Sequence, residues 1–202
     1  MAAPGFLSAA EYLAAERTAL DKHEYADGVI TAMARATRQP VTISTNLTGI
    51  MYRILSGTGC RPMNSGMRVG TPDDRLYTYP DLTIVCGEPE FKDDAFDTLL
   101  NPVIIFEVLS PDTERHDRGL KFKRYREIPS LREYVLVSSE EPTVEVFTRD
   151  EGDQWTVHFY DGLDTQVALS AVPVEVPMRE VFQDVKFEPE AVPAAQDSSL
   201  RA

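Results

Sequence analysis

The chain has 202 residues, of which 43% are hydrophobic and 26% are charged, and this ordinary composition excludes collagen-like, low-complexity and wholly disordered proteins. The 33 acidic residues outnumber the 20 basic ones and give a net charge of −13, which excludes a generic polyanion binder because whole-molecule repulsion opposes DNA and anionic membranes. No apolar run approaches the roughly 20 residues that span a bilayer, and the N-terminal residues do not resemble a signal peptide. We therefore expect a cytoplasmic protein that does not enter a membrane.

The length predicts one domain with a tail, because domains commonly contain about 150 residues. We assign residues 1–187 to a single domain and expect residues 188–202 to be disordered, because they contain few residues that could join a core. Cys60 and Cys86 are too few for a disulfide scaffold. We expect both to be free, buried thiols in a reducing compartment.

Cap, turn and periodicity signals divide the chain into elements. Ser8 followed by Glu11 is a capping-box pattern, Asp27-Gly28 is typical of a two-residue hairpin turn, and the apolar run at 102–109 is typical of a central strand buried on both faces. In chain order we predict a helix at 9–20, a hairpin around 27–28, a helix at 39–56, strands at 60–69, 79–85 and 102–109, a basic helix at 113–128, strands at 133–138, 143–148 and 155–160, and short β pieces with a helical turn at 165–186. This order predicts an α/β or α+β fold with a mixed central sheet flanked by helices.

The common catalytic motifs are absent from the chain. It contains no GxxxxGK[ST], GxSxG, HExxH or GxGxxG pattern. His23, His116 and His158 are scattered without metal-ligand spacing. We therefore expect the histidines to have surface or structural roles.

Two carboxylates are the first candidates for chemistry. Glu107 is the only charged residue in the apolar run at 102–109, where burying it is costly unless it is paired or binds a metal. Asp81 opens a neighbouring predicted strand, and carboxylates at the ends of adjacent strands can converge into the oxygen donors that suit Mg²⁺ or Mn²⁺. The alternative is that Glu107 pairs with a nearby arginine and that Asp81 caps a turn beside Pro80.

The helix predicted after Glu107 supplies basic residues. Asp117, Lys121 and Tyr125 follow one another at i, i+4 and i+8, so they share a helix face. On the functional interpretation Lys121 points at the carboxylates, while phosphates are contacted by Arg118, Lys123, Arg124 and Arg126. The alternative is a solvated basic face with an Asp117–Lys121 pair.

These residues in this order resemble the PD-(D/E)XK nuclease superfamily, in the variant whose lysine has migrated to the next helix. Asp81 stands in an intact Pro-Asp, Glu107 is the acidic residue, and Lys121 would be the migrated lysine. Within that superfamily, the local sequence resembles the Uma-type putative restriction endonuclease family over roughly residues 8–150. Four stretches carry this resemblance: His23-Glu24-Tyr25-Ala26-Asp27-Gly28, Tyr79-Pro80-Asp81-Leu82, Phe106-Glu107-Val108-Leu109-Ser110-Pro111, and Asp117-x-x-x-Lys121-x-x-x-Tyr125 followed by Glu133-Tyr134.

The resemblance implies a restriction-endonuclease-like core and metal-dependent hydrolysis of DNA phosphodiester bonds. Asp81, Glu107 and the Val108 carbonyl would hold Mg²⁺ or Mn²⁺, and Lys121 would orient water or stabilise developing charge. Glu24 would hold the metal's water or Lys121. Asp117 and Tyr125 would position the groups that act directly.

The charge distribution bears on the expected partners. Residues 115–126 contain six basic residues and one acidic residue, for a net charge of +5, which leaves −18 for the remainder. A single basic stripe beside the site fits weak or transient DNA binding. A homodimer or higher homo-oligomer would place two such stripes on one duplex.

The sequence departs from the family pattern at two places, and these departures leave other functions open. Leu109 occupies the place of the usual in-strand lysine, and Gln39-Pro40 stand where members of the family often have a histidine. The alternatives to an endonuclease are an inactive nuclease fold that binds nucleic acid or protein, and an unrelated α+β protein whose acidic pair is incidental. The endonuclease and the inactive fold differ in whether Lys121 reaches Asp81 and Glu107. Failure of Mn²⁺ to bind between Asp81 and Glu107 would favour the unrelated protein.

Overall fold

The structure is a computed structural model that describes residues 7–33 and 36–187. The helices are α1 (Ala9–Glu16), α2 (Arg38–Ile54), α3 (Glu114–His116), α4 (Phe122–Tyr125) and α5 (Met178–Val181), and a π-helical segment (Asp117–Lys121) joins α3 to α4. The strands are β1 (His23–Ala26), β2 (Val29–Ala32), β3 (Cys60–Asn64), β4 (Arg68–Gly70), β5 (Leu76–Thr78), β6 (Leu82–Cys86), β7 (Thr98–Leu99), β8 (Ile104–Leu109), β9 (Glu133–Ser138), β10 (Thr143–Arg149), β11 (Trp155–Asp161), β12 (Gln166–Leu169) and β13 (Val174–Pro177). The tail predicted at 188–202 lies outside the described residues.

A six-stranded sheet with the strand order β11-β10-β9-β8-β6-β3 forms the centre of the molecule. Only the β8–β9 pair is parallel within this sheet, and the other neighbours are antiparallel. All six residues of β8 are buried, as its apolar sequence predicts for a strand covered on both faces. The predicted α+β fold with a mixed central sheet is therefore confirmed.

The two faces of β8 are covered by different elements. Phe106 and Val108 belong to a hydrophobic cluster that includes α2, whereas Ile105 and Leu109 belong to a cluster that includes α4. Because successive side chains of a strand alternate between faces, Glu107 faces the same side as Ile105 and Leu109. The connection from β8 to β9 therefore covers the carboxylate.

A second sheet, with the order β2-β1-β5-β4-β7, brings the N-terminal hairpin to this side of the molecule. The side chain of Tyr25 on β1 is buried against Tyr12 and Tyr77, with ring centroids 5.2 and 6.0 Å away. Alternation along β1 then directs Glu24 to the opposite face.

Two local signals are confirmed, although the helix predicted at 9–20 already ends at Glu16. Ser8 and Glu11 form the predicted capping box, and Asp27 and Gly28 form the predicted hairpin turn with φ of 48° and 92°. The hairpin of β9 with β10 and the further antiparallel strand β11 are also confirmed.

Two predicted elements differ from the structure, and one strand was not predicted. The single strand expected at 60–69 is two strands, β3 and β4, which lie in different sheets. No strand was predicted at β5, which has three residues, too few for an alternating pattern. The regular helix predicted at 113–128 is divided by the π-helical segment.

The expectation of two free thiols is wrong. Cys60 and Cys86 are direct partners in the antiparallel β3–β6 pair and form a disulfide, with 3.9 Å between their Cα atoms. A separation of 26 residues in sequence gives no information on strand register, and register is what brings the two thiols together.

The helices within residues 7–33 and 36–187 include none with the length and apolar character that a membrane span requires.

We expect the disulfide to stabilise the fold by roughly 3 kcal/mol, because it closes a loop of 26 residues in the unfolded chain. Reductant should therefore lower the urea midpoint, and alkylation in denaturant should label two thiols only after reduction. The double variant Cys60→Ser with Cys86→Ser is the control, since its midpoint should not respond to reductant. Two free thiols in the unreduced protein would contradict the assignment.

Candidate active site

Strand register brings Asp81 and Glu107 to adjacent positions. β6 and β8 pair antiparallel with Leu82 opposite Phe106, so one step further along places Asp81 opposite Glu107, on the same face of the sheet. The Val108 N–H donates a hydrogen bond of 2.8 Å to Asp81 Oδ2. This bond holds the Asp81 carboxylate against the strand that carries Glu107.

Two donors hold the buried Glu107 carboxylate. Its Oε1 accepts a hydrogen bond of 2.9 Å from the Tyr125 hydroxyl and one of 3.2 Å from Lys121 Nζ. The Tyr125 hydroxyl in turn lies 2.6 Å from Thr78 Oγ1, on β5. A chain of contacts from Thr78 through Tyr125 therefore fixes the side chain of Glu107.

Lys121 lies among three carboxylates. Its Nζ is 2.9 Å from Glu24 Oε1, 3.0 Å from Asp117 Oδ1 and 3.2 Å from Glu107 Oε1, and its side chain is only 7% exposed. The lysine thus points into the site rather than into solvent. The structure brings together seven of the residues selected from the sequence: Glu24, Asp81, Glu107, Val108, Asp117, Lys121 and Tyr125.

Burial and mutual repulsion perturb the acids and the lysine. Burial raises the pKa of Asp81 to about 6, and burial also raises the pKa of Glu107 well above its usual range, although the Lys121 charge opposes the shift. For Lys121, burial lowers the pKa, but the Glu107, Glu24 and Asp117 charges outweigh it and hold the pKa well above the usual value. The ammonium therefore stays charged at neutral pH.

The donor set fits a divalent cation held by oxygen atoms. Three carboxylates surround one ammonium, and Glu24 Oε1 and Asp117 Oδ1 are buried without a hydrogen bond of acceptable geometry among the described residues. Among those residues no three His, Cys, Asp or Glu side chains are arranged as a metal centre. Asp81 and Glu107 with the Val108 carbonyl are the oxygen donors of the kind that Mg²⁺ accepts, with water completing its coordination.

The four basic residues selected for phosphate contacts differ in their surroundings. Arg118 pairs with Glu114 and Glu145 at 2.7 and 2.6 Å, and Arg124 is buried against Asp27 and Glu127. Lys123 and Arg126 are exposed, and the Arg126 guanidinium lies 5.4 Å from the centre of the Phe122 ring. Arg118 and Arg124 would have to exchange a carboxylate for a phosphate, whereas Lys123 and Arg126 are accessible.

Sequence reasoning missed three residues beside the site. Thr78 lies on a strand too short to predict, and its hydroxyl contacts Tyr125. His116 Nε2 is 3.6 Å from Glu24 Oε2, although nothing in its spacing indicated a partner. Tyr134 donates a hydrogen bond to the Asp117 carbonyl, and the only signal was its place in the Glu133-Tyr134 stretch.

Comparisons with known proteins relate both the sequence and the fold to proteins described as putative nucleases. A family model named Uma2, described as a putative restriction endonuclease, matches residues 9–179. Two uncharacterized proteins of Synechocystis sp. are 32% and 30% identical over 181 and 168 residues, which cover 90% and 83% of this chain and 94% and 95% of theirs. A crystal structure of a putative nuclease belonging to DUF820 from Anabaena variabilis superposes with a TM-score of 0.69 at 17% identity, covering 87% of this chain and 97% of that one.

We expect Asp81→Asn to stabilise the fold near neutral pH. The folded state binds the Asp81 proton more tightly than the unfolded state does, since the pKa rises from 3.8 to about 6. Stability is therefore lost as pH increases from about 4 through 6. One pKa unit corresponds to about 1.4 kcal/mol, and partial solvent access reduces the expected gain at pH 7.5 to about 1–2 kcal/mol.

Urea unfolding of the parent and of Asp81→Asn, at several pH values and with a chelator present, tests this expectation. The chelator prevents a bound cation from stabilising the parent alone. An asparagine can still accept the Val108 hydrogen bond, so the comparison isolates the charge. A variant less stable than the parent at pH 7.5 would contradict the assigned pKa direction.

Proposed function

The chain belongs to the Uma2 family of putative restriction endonucleases, and from this premise we propose that it is a divalent-metal-dependent endonuclease that hydrolyses phosphodiester bonds of DNA. One observation carries the proposal. A buried lysine ammonium lies 3.2 Å from a buried glutamate on the central strand, and an aspartate stands opposite that glutamate. A structural ion pair needs only one acid, whereas here three carboxylates surround one ammonium.

The carboxylates and the lysine have separate roles in this proposal. Asp81, Glu107 and the Val108 carbonyl would hold Mg²⁺ or Mn²⁺. When bound, the ion would supply a lowered pKa for its water and polarisation of a phosphoryl oxygen. Lys121 donates to the scissile phosphate and stabilises the charge that develops there.

Three neighbouring residues fix the positions of the Glu107 carboxylate and the Lys121 ammonium. Tyr125 donates to Glu107 Oε1 and thereby leaves its other oxygen for the cation. Glu24 and Asp117 lie within 3.0 Å of the ammonium of Lys121 and restrict its motion. We assign these three residues to positioning, since none of them needs to contact DNA.

DNA is bound weakly or transiently in this proposal. Lys123 and Arg126 are exposed for phosphate contacts, while Arg118 and Arg124 contribute only after their carboxylate partners are displaced. The net charge of −13 opposes long-range attraction of a polyanion. A homodimer would offset this weakness by placing two sets of basic residues on one duplex.

We expect nicking of supercoiled plasmid that requires Mg²⁺ or Mn²⁺ and is abolished by a chelator. Asp81→Ala, Glu107→Gln and Lys121→Met should each lower the rate by at least about 100-fold, because each removes a group that acts on the reacting phosphate. Gel electrophoresis of time courses under single-turnover conditions measures the effect.

Lys186→Met is the matched control for Lys121→Met, since it removes an exposed lysine outside the site. Circular dichroism must show that every variant is folded. A folded wild-type protein that cleaves neither plasmid, single-stranded DNA nor RNA would support an inactive binding module instead. Cleavage that survives all three site variants would place the active site elsewhere.

We expect the salt dependence of DNA binding to distinguish the basic residues. Lys123→Ala and Arg126→Ala should each reduce the slope of log K against log salt by about 1, because each removes one phosphate contact. Arg118→Ala should change the slope less, because Glu114 and Glu145 already neutralise its charge. Fluorescence anisotropy with a labelled duplex and chelator measures the slopes, and equal effects of all three variants would contradict this ranking.

A further inference from the structure

The helical connection that carries Lys121 is not a regular α-helix. At the end of the Asp117–Lys121 segment, the Phe122 N–H donates to the carbonyls of Asp117 and Gly119. A bond to the residue five positions back is the π-helical pattern, which contains one more residue in the turn than an α-helix and is often found at functional sites.

The wider turn changes which way the side chains point. Four residues of an α-helix turn by about 400°, so each i to i+4 step overshoots by roughly 40°. Asp117 and Tyr125, two such steps apart, would diverge by roughly 80° on a regular helix. The π-helical segment turns less per residue, so it offsets this drift, and Asp117, Lys121 and Tyr125 all converge on the Glu107 side.

Tyr134 holds both ends of this segment from the neighbouring strand β9. Its hydroxyl donates a hydrogen bond of 3.1 Å to the Asp117 carbonyl, where the segment begins. Its ring stacks on Phe122, just after the segment ends, with centroids 5.4 Å apart and planes within 7°. Tyr134 itself is completely buried, so its ring has little freedom to move.

We infer that Tyr134 is a positioning residue, which fixes the π-helical segment through the Asp117 carbonyl and thereby holds Lys121 in the site. The inference rests on the proposed function for its effect on cleavage, because Lys121 is the group assigned to the phosphate. Its effect on the location of Lys121 does not depend on any activity. The Tyr134 hydroxyl contacts the Asp117 carbonyl. Tyr134 would therefore affect cleavage through the position of Lys121, without contact to a substrate.

Tyr134→Phe tests this inference because it removes only the hydroxyl. In the wild type, Lys121 is enclosed while Lys123, two residues further along, is exposed, so acetylation should label Lys121 far more slowly than Lys123. In Tyr134→Phe we expect the ratio of the Lys121 rate to the Lys123 rate to rise at least about fivefold. Mass spectrometry of Glu-C peptides measures this ratio within one sample.

Tyr25→Phe is the matched control. Tyr25 is also buried, and its hydroxyl also donates to a main-chain carbonyl, that of Leu7, at 3.0 Å. Its side chain lies on the opposite face of β1 from Glu24. Both variants should stay folded, with the melting temperature lowered by no more than about 4 °C.

Kinetics of plasmid nicking give the second readout. We expect Tyr134→Phe to lower kcat at least about tenfold with KM little changed, because a misplaced lysine weakens the reaction step rather than binding. An unchanged labelling ratio would overturn the inference whatever the activity. An equal rise of the labelling ratio in Tyr25→Phe would also overturn it. A raised labelling ratio in Tyr134→Phe with an unaltered kcat would overturn it as well.

Failure of the proposed function and failure of the inference about Tyr134 give different results. A wild-type protein that does not cleave contradicts the proposed function, and the labelling ratio then decides the inference alone. A wild-type protein that cleaves, with a Tyr134→Phe variant that labels and cleaves like it, contradicts only the inference.

Discussion

The enclosure of one ammonium by three carboxylates is the constraint on which the rest of the structure depends. Glu24 comes from the N-terminal hairpin, Glu107 from the central strand, and Asp117 and Lys121 from the connection between β8 and β9. A buried ion cluster is tolerated only where its members are held close together, because removal of one partner leaves a desolvated charge. Two sheets and a helical connection must therefore keep their relative positions for the site to exist.

The cost of this cluster is offset by apolar packing on both faces of the central sheet. Burial of the acids and repulsion among them raise the pKa values of Asp81 and Glu107, so the ionised site destabilises the folded chain. The hydrophobic clusters around α2 and α4 offset that cost. Proteins commonly give up stability where function requires charged groups to be kept close together.

The same acidic excess shapes the expected encounter with DNA. Two of the four basic residues assigned to phosphates already have carboxylate partners, and the whole chain repels polyanions. In the proposed function, a cation at Asp81 and Glu107 would reduce the local negative charge where the scissile phosphate would lie. Binding of metal and binding of DNA would then support one another.

The sequence by itself indicated most of the elements and the candidate site residues. A capping box, an Asp-Gly turn and an apolar run are local signals. Glu107 could be selected as the lone charge in an apolar run, Asp81 as the acid that follows Pro80, and Lys121 from the helix face that it shares with Asp117 and Tyr125. Only the tertiary structure decided which elements meet. The Cys60–Cys86 disulfide and the Thr78–Tyr125 contact depend on strand register, which alternation alone does not specify. The π-helical segment is hydrogen-bonded to Tyr134 on β9, and the helical periodicity of residues 113–128 could not reveal that contact.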